Sequence, residues 1–297
     1  MKTIDFFKGD NSKIVVALGF FDSIHVGHST IIKKAREIAK SQVADCAVFT
    51  FANDIDSLFG ESNGLVLTYD ERIEKLSKLS VNTIISTIFT NEFSKISATE
   101  FFNVLTNNFQ VEAVVCGRDY RFGHKGLGDV NLLKDLCEDK GICLSVVDDV
   151  SYCGKRVSTT NIKELLFDGR IEEANELLGE SYSISGEVAH GRAVGSQMGF
   201  PTANVIIPIE KAKIKVGVYK THVVLDGKEY KCITNYGARP TFNLSDVLTE
   251  TYIDGFNGDL YGKKITVYFD SFIRECKKFN GIEELTNQLK LDLEKIR

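Results

Sequence analysis

His25 and His28 bracket the dipeptide Val26-Gly27, and Gly19, Phe20, Phe21 and Asp22 stand just upstream. An apolar run, Ile14 to Leu18, precedes them and reads as a buried strand. From Thr30 onward, Ile31, Ile32, Ala35, Ile38 and Ala39 recur at helical spacing. The histidines therefore stand at a strand-to-helix turn. Free backbone N–H groups and the positive end of a helix favour an anion there, phosphate above all. Gly27 lets such an anion approach the backbone closely. An imidazole near neutrality donates hydrogen bonds to phosphate oxygens and stabilises charge as phosphorus is attacked. A metal centre is the weaker alternative, because the chain has 5 histidines in all and no third ligand stands near.

Other stretches carry compatible chemistry. Gly117 to Asp129 interleaves glycines with Arg118, Asp119, Tyr120, Arg121 and Phe122, which suits stacking and anion contact. Val157 to Lys163 opens a helix with Ser158 and Thr159 and places Lys163 one turn in. Those hydroxyls cap the helix, and the same start is a triphosphate site. Further on, Gly191, Gly195 and Gly199 lead into Pro201, Thr202 and Asn204. Backbone amides of such a loop can surround phosphates, while Thr202 and Asn204 offer neutral oxygens of the kind Mg²⁺ accepts beside substrate phosphates.

The elements that must position these residues follow from periodicity. Through the first half, strand-like runs (44–51, 81–89, 111–116, 142–147) alternate with helical patterns. Thr68-x-x-Glu71 and Ser97-x-x-Glu100 mark two helix starts as capping boxes. This order predicts an α/β domain with a parallel sheet and helices on both faces. Ligands of such sheets lie beyond the carboxyl ends of the strands, where the histidine turn falls. Past Gly179 the pattern changes to short strands at 183–189, 216–225, 230–236, 248–253 and 265–269, with Asp226-Gly227 as a hairpin turn. A last amphipathic helix starts near Ile282. The second half reads as a small antiparallel barrel with a C-terminal helix.

Composition narrows the function. A length of 297 residues predicts two domains, divided here as 1–180 and 181–297. A net charge of -5 gives no field for non-specific nucleic-acid binding. The 7 cysteines are scattered without a Cys-x-x-Cys, as reduced thiols of a cytoplasmic protein are. Neither a signal peptide nor a membrane span is expected, and weak homo-oligomerisation stays open.

Taken together, Gly19 to His28, Phe51 to Ile55, Gly117 to Gly123 and Ser158 to Lys163 resemble the transferase half of the bacterial bifunctional riboflavin kinase/FAD synthetase family. Gly199 to Asn204, Asn235 to Phe242, Glu250, Asp254 to Phe256 and Ile273-Arg274 resemble its kinase half. The resemblance implies a Rossmann-like nucleotidyltransferase domain that transfers AMP from ATP to FMN, giving FAD and pyrophosphate. It implies a barrel that phosphorylates riboflavin to FMN, with Mg²⁺ and ATP at both. In the transferase half it assigns Gly19, Phe20, Phe21, Asp22, His25, His28, Ser158, Thr159 and Lys163 to ATP, with both histidines catalytic. Asn53, Asp54, Asp119, Arg121 and Phe122 would hold the flavin. In the kinase half, Gly191, Gly195, Gly199, Pro201, Thr202 and Asn204 fall to ATP, and Thr202 and Asn204 to the metal. Arg239, Phe242 and Arg274 fall to riboflavin, and Glu250 is the base. Three positions depart from the pattern: Ser23 for Gly, Phe51-Ala52-Asn53-Asp54-Ile55 for Phe-x-Pro-His-Pro, and Lys163 for Arg. All lie in the transferase half, so adenylylation is expected to be the slower step. Two rivals stay in view: another nucleotidyltransferase of the superfamily, and a flavin-binding regulator without turnover.

Overall fold

The computed structural model describes residues 1–60, 62–189, 200–238 and 247–297. They form two compact units, Met1–Thr159 and Thr160–Arg297.

The first unit is a six-stranded, wholly parallel sheet. Its strands are β1 (Lys2–Asp5), β2 (Lys13–Leu18), β3 (Asp45–Phe51), β4 (Thr83–Thr87), β5 (Gln110–Gly117) and β6 (Cys143–Val147). They lie in the order β1-β4-β3-β2-β5-β6. Its helices are α1 (Val26–Gln42), α2 (Tyr69–Lys78), α3 (Ala98–Asn108) and α4 (Val130–Asp139). The central strand β2 explains its unbroken apolar run. Ile14, Val16 and Leu18 pack with Phe101, Phe102 and Leu133 on one face. Val15 and Ala17 pack with Ile31, Ile32 and Leu76 on the other. Burial on both faces leaves no position for a polar side chain. From β2 the sheet grows first through β3 and β4, then resumes on the other side with β5. The crevice at that reversal is where ligands of open α/β sheets bind. The histidine turn follows β2 and the Gly117 loop follows β5, so both stretches meet this crevice. A small hairpin, β7 (Ser151–Tyr152) and β8 (Lys155–Arg156), completes the unit.

The second unit opens with α5 (Thr159–Asp168, whose first residue belongs to the first unit) and α6 (Ile171–Leu178). A closed antiparallel barrel follows: β9 (Tyr182–Ala189), β10 (Thr202–Ile206), β11 (Gly217–Leu225), β12 (Lys228–Ala238), β13 (Val247–Ile253) and β14 (Lys264–Arg274). The C-terminal helix is α7 (Ile282–Glu294). Asp226 and Gly227, both at positive φ, form the tight turn between β11 and β12. Inside the barrel the hydroxyls of Thr221, Thr234 and Thr251 form a buried ladder with 2.7 and 2.9 Å spacings. Leu293 and Ile296 cover Val218 and Ile233 on the outside.

The two helices before the barrel pack on it. Asn175 of α6 donates to Phe269 O at 2.8 Å and accepts from Tyr182 N at 2.7 Å. Leu166 O of α5 accepts from Lys215 N at 3.1 Å. If the barrel phosphorylates riboflavin as the resemblance implies, fragment 181–297 should do so, yet it should melt several degrees below fragment 160–297, which keeps these bonds and buried Ala174, Leu177 and Leu178. Thermal unfolding of the two fragments, with FMN formation measured on each, checks this. Equal melting temperatures would deny the helices a stabilising role.

Candidate active site

Helix α1 begins earlier than its apolar spacing suggests, because an imidazole caps it. His25 is the N-cap residue, and its Nδ1 accepts the His28 N–H at 3.1 Å. The His25 and His28 rings stack with centroids 3.8 Å apart and planes 10° apart. Phe21 meets His28 edge-on at 5.2 Å. A Cβ at Gly27 would lie 3.0 Å from the His25 ring, which is why glycine separates the histidines. Phe21 and Ile24 hold φ of 55° and 43°. That strain is costly for an aromatic and a β-branched residue, and it flanks the site. Buried Asp22 anchors the turn, its Oδ1 accepting from Val66 N at 2.9 Å.

Both histidines are neutral at pH 7. Burial, then the charges of Lys75 and Arg156, push His25 down to about 4. Burial, then the second imidazole of His25 alongside and the charges of Lys75 and Arg72, hold His28 well below the ordinary histidine value. Because His25 Nδ1 accepts a hydrogen bond, its proton resides on Nε2, which leaves that atom a donor. An anion arriving here meets neutral donors and fixed cations.

Thr159, the last residue of the first unit, meets this turn. Ser23 Oγ and Thr159 Oγ1 share a hydrogen bond of 2.9 Å, and Ser23 is wholly buried. Ser158 sits at the cap position just before α5, and Lys163 lies one turn in. Glycine at 23 could not make this bond, so Ser23 ties the histidine turn to the hydroxyl run. Ser23→Ala should loosen that tie at a cost of about 1 kcal/mol. If this turn binds ATP for FAD formation as the resemblance implies, Ser23→Ala should raise the KM for ATP several-fold, and Thr159→Val should do the same. Steady-state kinetics on both variants and their double mutant check this. The double mutant should be no worse than either single one, and fully additive effects would show that the bond does not act as a unit.

The residues expected at the flavin divide into two groups. Asp119 pairs with Arg156, which also meets Asp149 at 3.1 Å. Arg121 is exposed. These lie at the crevice beyond β5. Phe122 is buried instead, in the aromatic core beside Phe101 at 5.8 Å and Tyr120 at 5.5 Å. Asn53 spends its amide on both backbone groups of Phe89, at 3.0 and 2.7 Å. Asp54 accepts from Asp56 N at 3.1 Å and from the Ser62 hydroxyl. Thus Asn53 and Asp54 hold the loop after β3 in place of the absent prolines. Arg72, Lys75 and Arg156 were not singled out by the sequence. They read as ordinary charges of a helix face and a hairpin, and only packing brings them to the turn. Lys75 Nζ donates to Ser23 O at 3.5 Å.

The barrel builds its own row. In register, Asn204 of β10 faces Glu250 of β13, which faces Asn235 of β12. Val218 of β11 faces Asn235 and Arg274 of β14. Facing residues share one side of a sheet, so Asn204, Glu250, Asn235 and Arg274 lie on one side of the barrel wall. Thr202 stands two residues before Asn204 on the same side, just after Pro201. Arg274 is engaged by Asp292 of α7, with Nε at 3.0 Å and Nη2 at 2.6 Å. Asn235 was missed as a site residue, although its place in the Asn-Tyr-Gly-Ala-Arg-Pro-Thr-Phe run was its signal. Gly191, Gly195, Gly199, Arg239 and Phe242 lie outside the described residues.

The two halves of the chain match two known families of domain. Residues 7–161 match the FAD synthetase family and residues 178–297 the riboflavin kinase family. The chain belongs to the bifunctional riboflavin kinase/FMN adenylyltransferase family. A bifunctional riboflavin kinase/FMN adenylyltransferase of Listeria monocytogenes is 34% identical, over 94% of this chain and 90% of that protein. That of Bacillus subtilis is 32% identical over 96% and 92%. A solved structure described as a macrolide-efflux protein from Streptococcus pneumoniae has a TM-score of 0.90 and 30% identity, over 99% of this chain and 98% of its own. Among the described residues no helix is long and apolar enough to cross a membrane. As a riboflavin kinase/FMN adenylyltransferase, the chain uses ATP twice, first to make FMN from riboflavin and then to make FAD from FMN.

Proposed function

We propose that the histidine turn performs adenylyl transfer and the Asn204–Glu250 row performs phosphorylation, the two functional halves dividing at 180/181. The stacked, neutral His25 and His28 at the crevice beside β2 support the first assignment. A phosphate oxygen of FMN attacks the α-phosphorus of ATP. The new P–O bond forms as the bond to the β-phosphate breaks, and pyrophosphate leaves with the electron pair. Nε2–H of His25 and the first turn of α1 donate to the phosphates, the charge of Lys75 offsets theirs, and the hydroxyls of Ser158 and Thr159 with Lys163 hold the triphosphate.

In the barrel, Glu250 accepts the proton of the riboflavin 5′-hydroxyl as that oxygen attacks the γ-phosphorus, and ADP leaves. Asn204, opposite Glu250 in the register, supports this placement. Thr202 and Asn204 supply the neutral oxygens that suit Mg²⁺, which leaves most of its ligands to phosphate and water. When bound, Mg²⁺ neutralises charge on the transferring phosphates. The setting is the cytoplasm, with riboflavin, FMN and ATP as partners and neither nucleic acid nor membrane involved. The net charge of -5 and the buried thiols of Cys46, Cys116, Cys137 and Cys232 fit it.

Adenylylation is the slower step. Lys163 offers a point charge where a planar fork would grip phosphate on two sides. Asp54 is spent on its own loop, so Asp54→His removes a support, whereas Lys163→Arg adds a grip. A time course with riboflavin and excess ATP tests this. FMN should accumulate before FAD, Lys163→Arg should shorten the lag, and Asp54→His should lengthen it. FAD appearing without detectable FMN would overturn the ordering of rates.

A further inference from the structure

Helix α2 carries a cation whose charge helps keep His28 neutral but which the reaction, as assigned above, gives no contact of its own. Arg72 is 0% exposed, and a charge so placed is costly unless its surroundings use it. Its Nη1 donates to Phe20 O at 3.0 Å, Thr50 Oγ1 at 2.7 Å and Phe51 O at 2.9 Å. Thr50 in turn donates its hydroxyl to Phe20 O at 2.6 Å. Phe20 begins the histidine turn at the end of β2. Thr50 and Phe51 end β3, where the Asn53–Asp54 loop starts. One nitrogen thus joins two strand ends at their carboxyl sides. The guanidinium also lies 4.7 Å over the Phe20 ring. Asp22, Tyr69 and Asp54 favour its charge against the effect of burial. Two of these belong to the very segments that the nitrogen joins. Nε and Nη2 have no partner among the described residues.

We propose that Arg72 is a positioning residue for adenylyl transfer, a buried cation that sets the histidine turn and the loop after β3 relative to each other. The proposal rests on the histidine turn being the adenylyl-transfer site. Reacting groups displaced by about 1 Å lose about 10²-fold in rate, while each ligand keeps most of its own contacts. The effect therefore falls on kcat rather than on KM. Because a single nitrogen makes all three bonds, the fork of the guanidinium is not needed. An ammonium, with three donors for three acceptors, serves in its place.

The test uses the full chain with FMN and ATP supplied, and compares Arg72→Met, Arg72→Gln and Arg72→Lys. Rates are taken per folded chain, counted from thermal unfolding. Met and Gln should lower kcat for FAD formation by about 10- to 100-fold, with KM for ATP and for FMN each within about threefold. Lys should stay within about threefold of the parent in both. Met and Gln variants with the parent kcat would overturn the proposal. A Lys variant as slow as Met would also overturn it, because the fork itself would then be in use. Should Met and Gln unfold below the assay temperature while Lys keeps the parent rate and stability, the role is structural alone and the proposal fails. A His28→Ala control run alongside separates the two levels. If that variant still makes FAD, the site assignment has failed; if it does not, any failure belongs to Arg72.

Discussion

Replacing His28 by alanine should abolish FAD formation from FMN and ATP, by about 10²- to 10⁴-fold, and leave FMN formation from riboflavin nearly intact. The ring stacks on His25 at 3.8 Å and is held edge-on by Phe21, so its removal takes away a donor and the support of its partner. Product analysis by chromatography, with each substrate supplied separately, reads both activities. The pH dependence carries the same signature. His25 in the free enzyme titrates at about 4 rather than at the ordinary 6.5, so the acid limb of FAD formation should lie near the lower value. Below it, His25 loses the lone pair that caps α1. The sign for stability follows. The folded value lies below the unfolded one, so the contribution is full above pH 6.5 and falls as pH drops toward about 4.

Glu250→Gln should act in the opposite sense. Glutamine keeps the shape and most hydrogen-bonding capacity of the side chain but cannot accept the proton of the 5′-hydroxyl. FMN formation should fall by about 10²- to 10⁴-fold, while FAD formation from supplied FMN should continue at the parent rate. The register places Glu250 between Asn204 and Asn235, so its strand and neighbours survive the exchange. If the glutamine variant phosphorylates riboflavin normally, the base lies elsewhere.

Much of this architecture was legible in the chain. The doubly buried β2 announced itself as an unbroken apolar run, and Thr68 with Glu71 forms the full capping box that their spacing predicts. Short-range rules failed where tertiary contacts decide. Helix α1 starts at Val26 because His25 caps it, and imidazole is not among the usual capping groups. Strand β10 was read as part of a motif rather than as a strand, because five residues after a glycine loop show little alternation. Arg72 and Lys75 sit one turn apart on a polar-looking helix. Nothing local distinguishes the buried cation of Arg72 from a solvated one. Ser23 looked like a weakening of the turn, whereas its hydroxyl finds a partner 136 residues away.

Mixing two inactive variants tests the central claim, that one chain carries two separate sites, most directly. His28→Ala and Glu250→Gln are each incubated with riboflavin, ATP and Mg²⁺, alone and then together, and FAD is measured. Neither variant alone should make FAD. The mixture should make it, because FMN formed on the barrel of the first is adenylylated at the histidine turn of the second. A mixture that forms FMN and no FAD, with the Glu250→Gln protein still folded, would contradict the assignment of two independent sites.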